Sequence, residues 1–208
     1  MTTFVQNISF GVIAATLTLG ALGAGVYGAI TLDKSGQAAA TALIETPSIT
    51  LNESALAAKS AVLYDLVTAK VLYQKNAYEQ LPLASLTKLM TVEMVLSLKS
   101  LDTPVQITRN DLSPAGDSGF MVGQTVMLGD LIKFALVASS NDAMEAAAAS
   151  LGDGFIDKMN SAAAAMGLTK THFFNVTGLD INQRASGAYG SAYDVARLAA
   201  VFYKDHPD

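Results

Sequence analysis

The sequence contains no cysteine and only two histidines. Without cysteine there can be no disulfide, no thiolate metal site and no cysteine nucleophile. That absence does not fix the compartment, since many exported bacterial domains also lack cysteine. His172 and His206 are too few for a His-rich metal site, so no metal is expected. A Ser-His-Asp triad would have to use one of these two. Charge is sparse as well: charged residues make up 15% of the 208, with a formal net charge of -5 and a pI near 4.9. No basic stripe is visible, which argues against nucleic acid as a partner.

Residues 10–32, "FGVIAATLTLGALGAGVYGAITL", contain no charge, and the nine before them, a short N-terminal tail, contain no Lys or Arg. As a helix this stretch would span roughly 34 Å at about 1.5 Å per residue, enough to cross a bilayer core. The length predicts an uncleaved transmembrane signal anchor rather than a cleaved signal peptide. "QAAATA" at 37–42 supplies small residues for the second possibility. Lys34 follows the span and nothing basic precedes it, so charge does not mark its orientation. Residues 33–57 are small and polar and read as a linker.

From residue 59 the pattern changes. Val62 and Tyr64, then Val71 and Tyr73, predict two short strands with a turn over 66–70. From Ser85 to about Lys99 the apolar period becomes helical. Residues 102–128, rich in Gly, Pro, Asp and Ser, predict an irregular excursion with short extended pieces. Helices are expected over 129–138, from 143 to Gly152, over 153–167 with Asp153 as N-cap, and over 191–204. Ser191 and Asp194 have capping-box spacing there. The alanine runs suit helices packed closely against their neighbours.

One short stretch carries chemistry. Ser85-Leu86-Thr87-Lys88 is the chain's one S-x-x-K, at a strand-to-helix junction. At a helix start, residues i and i+3 share a face about one turn apart. The helix dipole there favours a developing alkoxide. A lysine on that face in apolar surroundings loses charge stabilisation and can act as a neutral base. This is nucleophilic catalysis without histidine. An ordinary helix start with a solvent-facing lysine would look the same in isolation. A second polar break, Ser139-Ser140-Asn141, interrupts a strongly apolar helix pair. It reads either as a helix corner with Ser140 or Asn141 as cap, or as a second wall of a cleft. In the latter case Ser139 is a hydroxyl relay, and Asn141 binds a substrate amide or holds Lys88.

The text around these motifs resembles the serine D-alanyl-D-alanine carboxypeptidases, the low-molecular-weight penicillin-binding proteins. The matching stretches are "AVLYDLVTAKVLYQKNAYEQLPLASLTKLMT" (61–91), "GDSGFMVGQTVMLGDLI" (116–132), "ASSNDAMEAAA" (138–148), "MNSAAAAMGLTKTHFFNVTGLD" (159–180) and "SAYDVARLA" (191–199). The resemblance runs from about residue 59 to 208. It implies an α+β fold of the serine DD-peptidase/β-lactamase type: an antiparallel sheet flanked by helices, with a helical subdomain carrying the second motif. It further implies that Ser85 is the acylated nucleophile and Lys88 its base, with Ser139 and Asn141 as the second motif. The implied substrate is a peptidoglycan stem peptide ending in D-Ala-D-Ala, with β-lactams as inhibitors and no cofactor. The domain would then sit on the outer face of the cytoplasmic membrane. S-x-x-K is also shared with class A β-lactamases. Their second motif reads S-D-N, which fits less well, and Glu145 reads as helix surface rather than as a deacylation base.

The family's third motif, Lys-Thr/Ser-Gly, does not occur in residues 85–208. Lys170-Thr171-His172 fails at the glycine, and Lys34-Ser35-Gly36 precedes the nucleophile. A fragment lacking its C-terminal strands is therefore expected, with little activity on its own. Two other functions stay open: a β-lactamase, or a penicillin- or peptidoglycan-binding protein without turnover. His172 and Asp180 in "THFFNVTGLD" suggest a triad, but the resemblance treats this stretch as structural. Asp194 is expected to be a cap partner.

Overall fold

Asp65 closes the turn at 66–69 by local hydrogen bonding. Its Oδ1 accepts from Val67 N at 2.9 Å and Thr68 N at 3.3 Å, and its Oδ2 from Thr68 Oγ1. Side-chain capture of this kind competes with the ladder and reverses the chain. The strands on either side, β3 (Ala61–Asp65) and β4 (Lys70–Lys75), pair antiparallel, with a register shift between Leu63 and Tyr64. This is the hairpin that the alternation of Val62, Tyr64, Val71 and Tyr73 predicts.

The computed structural model describes residues 13–15, 28–30, 56–112, 115–116 and 119–207. The chain divides into two units, Met1–Ser48 and Ile49–Asp208. In the first, β1 (Ile13–Ala15) and β2 (Gly28–Ile30) pair antiparallel. The expected membrane helix over 10–32 is therefore corrected at these six positions. Five glycines fall in the stretch, at 11, 20, 23, 25 and 28, and each weakens a helix by about 1 kcal/mol relative to alanine. Among the described residues, no helix is long and apolar enough to cross a membrane.

In the second unit, β5 (Leu81–Pro82) leads through a 3-10 turn (Ala84–Leu86) into α1 (Thr87–Leu98). Next come β6 (Pro104–Gln106) and β7 (Thr125–Met127), which pair antiparallel as the short extended pieces expected in 102–128. Then follow α2 (Leu128–Ala138), α3 (Asn141–Ala149) and α4 (Phe155–Ala165). The last elements are β8 (His172–Phe173), β9 (Ala188–Gly190) and α5 (Ala192–Asp205). β9 lies between β5 and β8 in a three-stranded antiparallel sheet. A single antiparallel sheet is thus not what the described strands form. They are two to six residues long and pair in separate small groups.

α1 is buried on nearly every side, as a central helix must be. Met90, Val92 and Val95 meet Leu128, Leu131 and Ala135 of α2, the alanines of α3, and Phe155 and Met159 of α4 in one core. Small side chains at Ala143, Ala146 and Ala147 let α3 approach closely. On the remaining side stands α5, where Glu93 Oε2 lies 3.2 Å from His206 Nε2. Two caps differ in outcome. Ser191 accepts from Asp194 N at 3.1 Å, as its spacing predicts. α4 is capped not by Asp153 but by Gly154, whose φ of 73° suits a residue without Cβ.

Candidate active site

The S-x-x-K spacing survives a change of helix type. Ser85 sits in the 3-10 turn and Lys88 is the second residue of α1, yet Lys88 Nζ reaches Ser85 Oγ at 3.0 Å. Ser85 is exposed, while Lys88 is only 2% exposed. A hydroxyl open to solvent is thus backed by an amine withdrawn from it. Ala84, the residue before the nucleophile, has φ 47°. An alanine in the left-handed region costs about 1–3 kcal/mol and persists only where its surroundings over-determine it.

The second wall comes from the break between α2 and α3. Ser139 ends α2 in the left-handed region, with φ 55°. Its hydroxyl donates to Ser85 Oγ at 2.8 Å. Ser140 is the α3 cap, accepting from Ala143 N at 3.1 Å. That division of labour frees Asn141. Its Oδ1 accepts from Lys88 Nζ at 2.8 Å, and its Nδ2 donates to Ala115 O at 2.8 Å. All four residues read from the sequence, Ser85, Lys88, Ser139 and Asn141, are therefore brought into one hydrogen-bonded group. Of Ser139-Ser140-Asn141, Ser140 is thus the helix cap, while Ser139 and Asn141 reach Ser85 and Lys88.

A third element was read as structural text only. Lys88 Nζ also donates to Thr177 O at 3.2 Å. The turn carrying that carbonyl is organised by Asn175. Its Oδ1 accepts from Gly178 N at 2.7 Å and Thr177 N at 3.3 Å, and its Nδ2 donates to Leu179 O at 2.8 Å. Thr91 Oγ1 pins the same turn to α1 by donating to Val176 O at 2.7 Å. The signal in "NVTGLD" is an Asn two residues before a Thr-Gly pair, the pattern of an Asx turn.

Gly178 makes the approach possible. A Cβ there would lie 1.8 Å from Ala84 O and 2.6 Å from Thr87 Oγ1, at a φ of 81°. Gly178→Ala is expected to lose about 2–4 kcal/mol, combining left-handed strain with overpacking. It should also weaken covalent labelling by a penicillin, because the turn must retreat from Lys88. Thermal melting and labelling kinetics check this. An unchanged melt would mean that the contact with Ala84 yields freely.

Lys88 has three N–H donors as an ammonium and three acceptors around it. Burial nonetheless pushes its pKa below the ordinary lysine value, with the Glu145 carboxylate acting in the opposite direction. Burial raises the Glu145 carboxyl, Asp111 raises it further, and Lys88 pulls it back. Glu145 is half-buried, not plain helix surface.

The remaining candidates fall elsewhere. His172 is exposed on β8, edge-on to Phe174 at 4.7 Å between centroids. His206 faces Glu93. Ser85 has neither histidine as a hydrogen-bond partner and takes Lys88 and Ser139 instead. Lys170 N and Thr171 Oγ1 both donate to Asp194 Oδ2, at 2.7 and 2.9 Å. That stretch is thereby tied to the start of α5 and is no third wall. Asp194 serves this loop as well as the helix start. Lys34-Ser35-Gly36 lies outside the described residues. Among the described residues no His, Cys, Asp or Glu cluster is fit to hold a metal ion.

A family model described as D-alanyl-D-alanine carboxypeptidase matches residues 47–208. The chain belongs to this family. D-alanyl-D-alanine carboxypeptidase DacF of Bacillus subtilis is 38% identical over 164 residues, covering 74% of this chain and 41% of the relative. The structure of D-alanyl-D-alanine carboxypeptidase DacD from Francisella tularensis superposes with a TM-score of 0.69 at 33% identity, over 74% of this chain and 38% of that one. Penicillin-binding protein D2 from Listeria monocytogenes, solved in the ampicillin-bound form, gives 0.65 at 31% identity, over 74% and 64%. The chain thus spans about two fifths of the length of the first curated relatives, 41% and 44%.

Proposed function

We propose that this domain is a serine-type D-alanyl-D-alanine carboxypeptidase acting on peptidoglycan stem peptides through a Ser85 acyl-enzyme. The observation that carries this reading is the position of Lys88 Nζ between Ser85 Oγ and Asn141 Oδ1. As a neutral amine, Nζ keeps two N–H bonds, to Asn141 Oδ1 and Thr177 O, and turns its lone pair toward the Ser85 hydroxyl. Ser85 Oγ attacks the carbonyl carbon of the scissile bond as its proton passes to Nζ. The proton then returns through the Ser139 hydroxyl to the departing D-alanine nitrogen, and the C–N bond breaks. Water hydrolyses the resulting ester by the reverse proton path. No metal or organic cofactor enters this sequence.

A relative solved in an ampicillin-bound form supports β-lactam binding, and acylation of Ser85 by a β-lactam is part of the proposal. The substrate lies outside the cytoplasmic membrane, so an extracytoplasmic site of action is part of the proposal. Protease accessibility in intact spheroplasts checks that placement. The activity itself is tested by D-alanine release from a pentapeptide ending in D-Ala-D-Ala, using the full-length protein. Release that vanishes with Ser85→Ala is expected. A lasting penicillin adduct with no D-alanine release would instead mark a binding protein without turnover.

A further inference from the structure

Glu145 stands one turn beyond Asn141 on α3, and residues four apart share a helix face. Asn141 Oδ1 accepts from Lys88 Nζ. Glu145 also lines an open cavity with Ala148, Phe155, Asp157 and Val176. Val176 accepts from Thr91, and the next residue, Thr177, accepts from Lys88. Glu145 thus follows by one helical turn the residue that holds Lys88, and shares its cavity with the residue before the Thr177 carbonyl that holds it too. We propose that Glu145 is a positioning residue whose carboxylate, acting through Lys88, fixes the pH at which Lys88 becomes a base.

The charges around it define the sign. The charges that act on it are Lys88 of α1 and Asp111 of the segment after β6; Asp157 of α4 lines the same cavity, and Asp142 lies on its own helix. Asp111 is itself held by Thr108, whose N and Oγ1 donate to its Oδ2 at 2.7 and 2.9 Å. An ionised Glu145 favours the ammonium form of Lys88 and so opposes the effect of burial. Removing that charge lowers the Lys88 pKa further, and the amine becomes available at lower pH.

This inference rests on the acyl-enzyme reading, so its test carries a readout that does not. In the full-length protein, Glu145→Gln is compared with wild type in two ways. One is the pH profile of acylation by a penicillin. The other is direct titration of the lysine ε-carbons by NMR, with Lys88 assigned by its loss in Lys88→Ala. Both midpoints are expected to move down by about 0.5–1 pH unit, raising acylation on the acid limb about three- to tenfold. A Lys88 midpoint that stays put or rises in folded Glu145→Gln overturns the proposal. If that variant does not fold, Glu145→Ala, which also removes the charge and keeps a good helix former, must lower the Lys88 midpoint; a midpoint that stays put or rises there overturns the proposal as well. If wild type forms no adduct at Ser85, the acyl-enzyme reading fails, and the NMR titration still decides the role of Glu145.

Discussion

Ser85→Ala is expected to abolish covalent labelling by a fluorescent penicillin. The hydroxyl lost is exposed, and both groups that could handle its proton lie within hydrogen-bond reach, Lys88 Nζ at 3.0 Å and Ser139 Oγ at 2.8 Å. Truncating an exposed hydroxyl costs little stability, within about 1 kcal/mol, so a normal melt should accompany the loss. Ser139 is also exposed, but its hydroxyl donates to Ser85 Oγ, and Ser85 is the hydroxyl that Lys88 Nζ reaches. The measurement is adduct stoichiometry by intact-mass spectrometry at saturating penicillin. Labelling at the wild-type stoichiometry would remove Ser85 as the nucleophile and make Ser139 the next residue to substitute.

The site was legible in the sequence wherever its residues are bound by local spacing. Ser85 and Lys88 are one turn apart, so any helical start brings them together. Ser139 and Asn141 showed themselves as polar residues that an apolar helix pair has no reason to carry. Which of the three in Ser139-Ser140-Asn141 caps α3 was not legible. That depends on Ser139 adopting φ 55°, a choice made by the packing of α2 on α3. The Thr177 carbonyl was missed because a backbone acceptor has no residue signature, and its contact to Lys88 spans 89 positions. Glu145 was missed because helical periodicity assigns it a face but not what packs over that face. The hairpin at 61–75 and the five helices followed from apolar period together with cap signals. The stretch at 10–32 did not. A run of uncharged residues satisfies a membrane helix by length, but its glycines weaken a helix, and the β-branched Ile13 and Ile30 suit the strands at 13–15 and 28–30.

Lys88→Ala should slow acylation by about 10²–10⁴, the usual loss for a removed general base. The residue does more than accept a proton. Its amine fills the space between Ser85 Oγ, Asn141 Oδ1 and Thr177 O, the last two at 2.8 and 3.2 Å. Without it both acceptors lose their donor in a buried site, a cost of about 1–3 kcal/mol each unless water enters. Lys88→Met separates the two effects. It keeps the volume of the stem, and it removes an amine whose burial already disfavours its charge. Melting of the Met variant should fall less than that of the Ala variant, while both lose acylation alike. The pH profile gives the second check. As pH falls through the depressed Lys88 pKa, the wild-type amine is protonated and acylation is lost. With Lys88 gone, the residual rate should lack that acid limb. A near-wild-type rate, or a limb that persists unchanged in both variants, would place the base on another group.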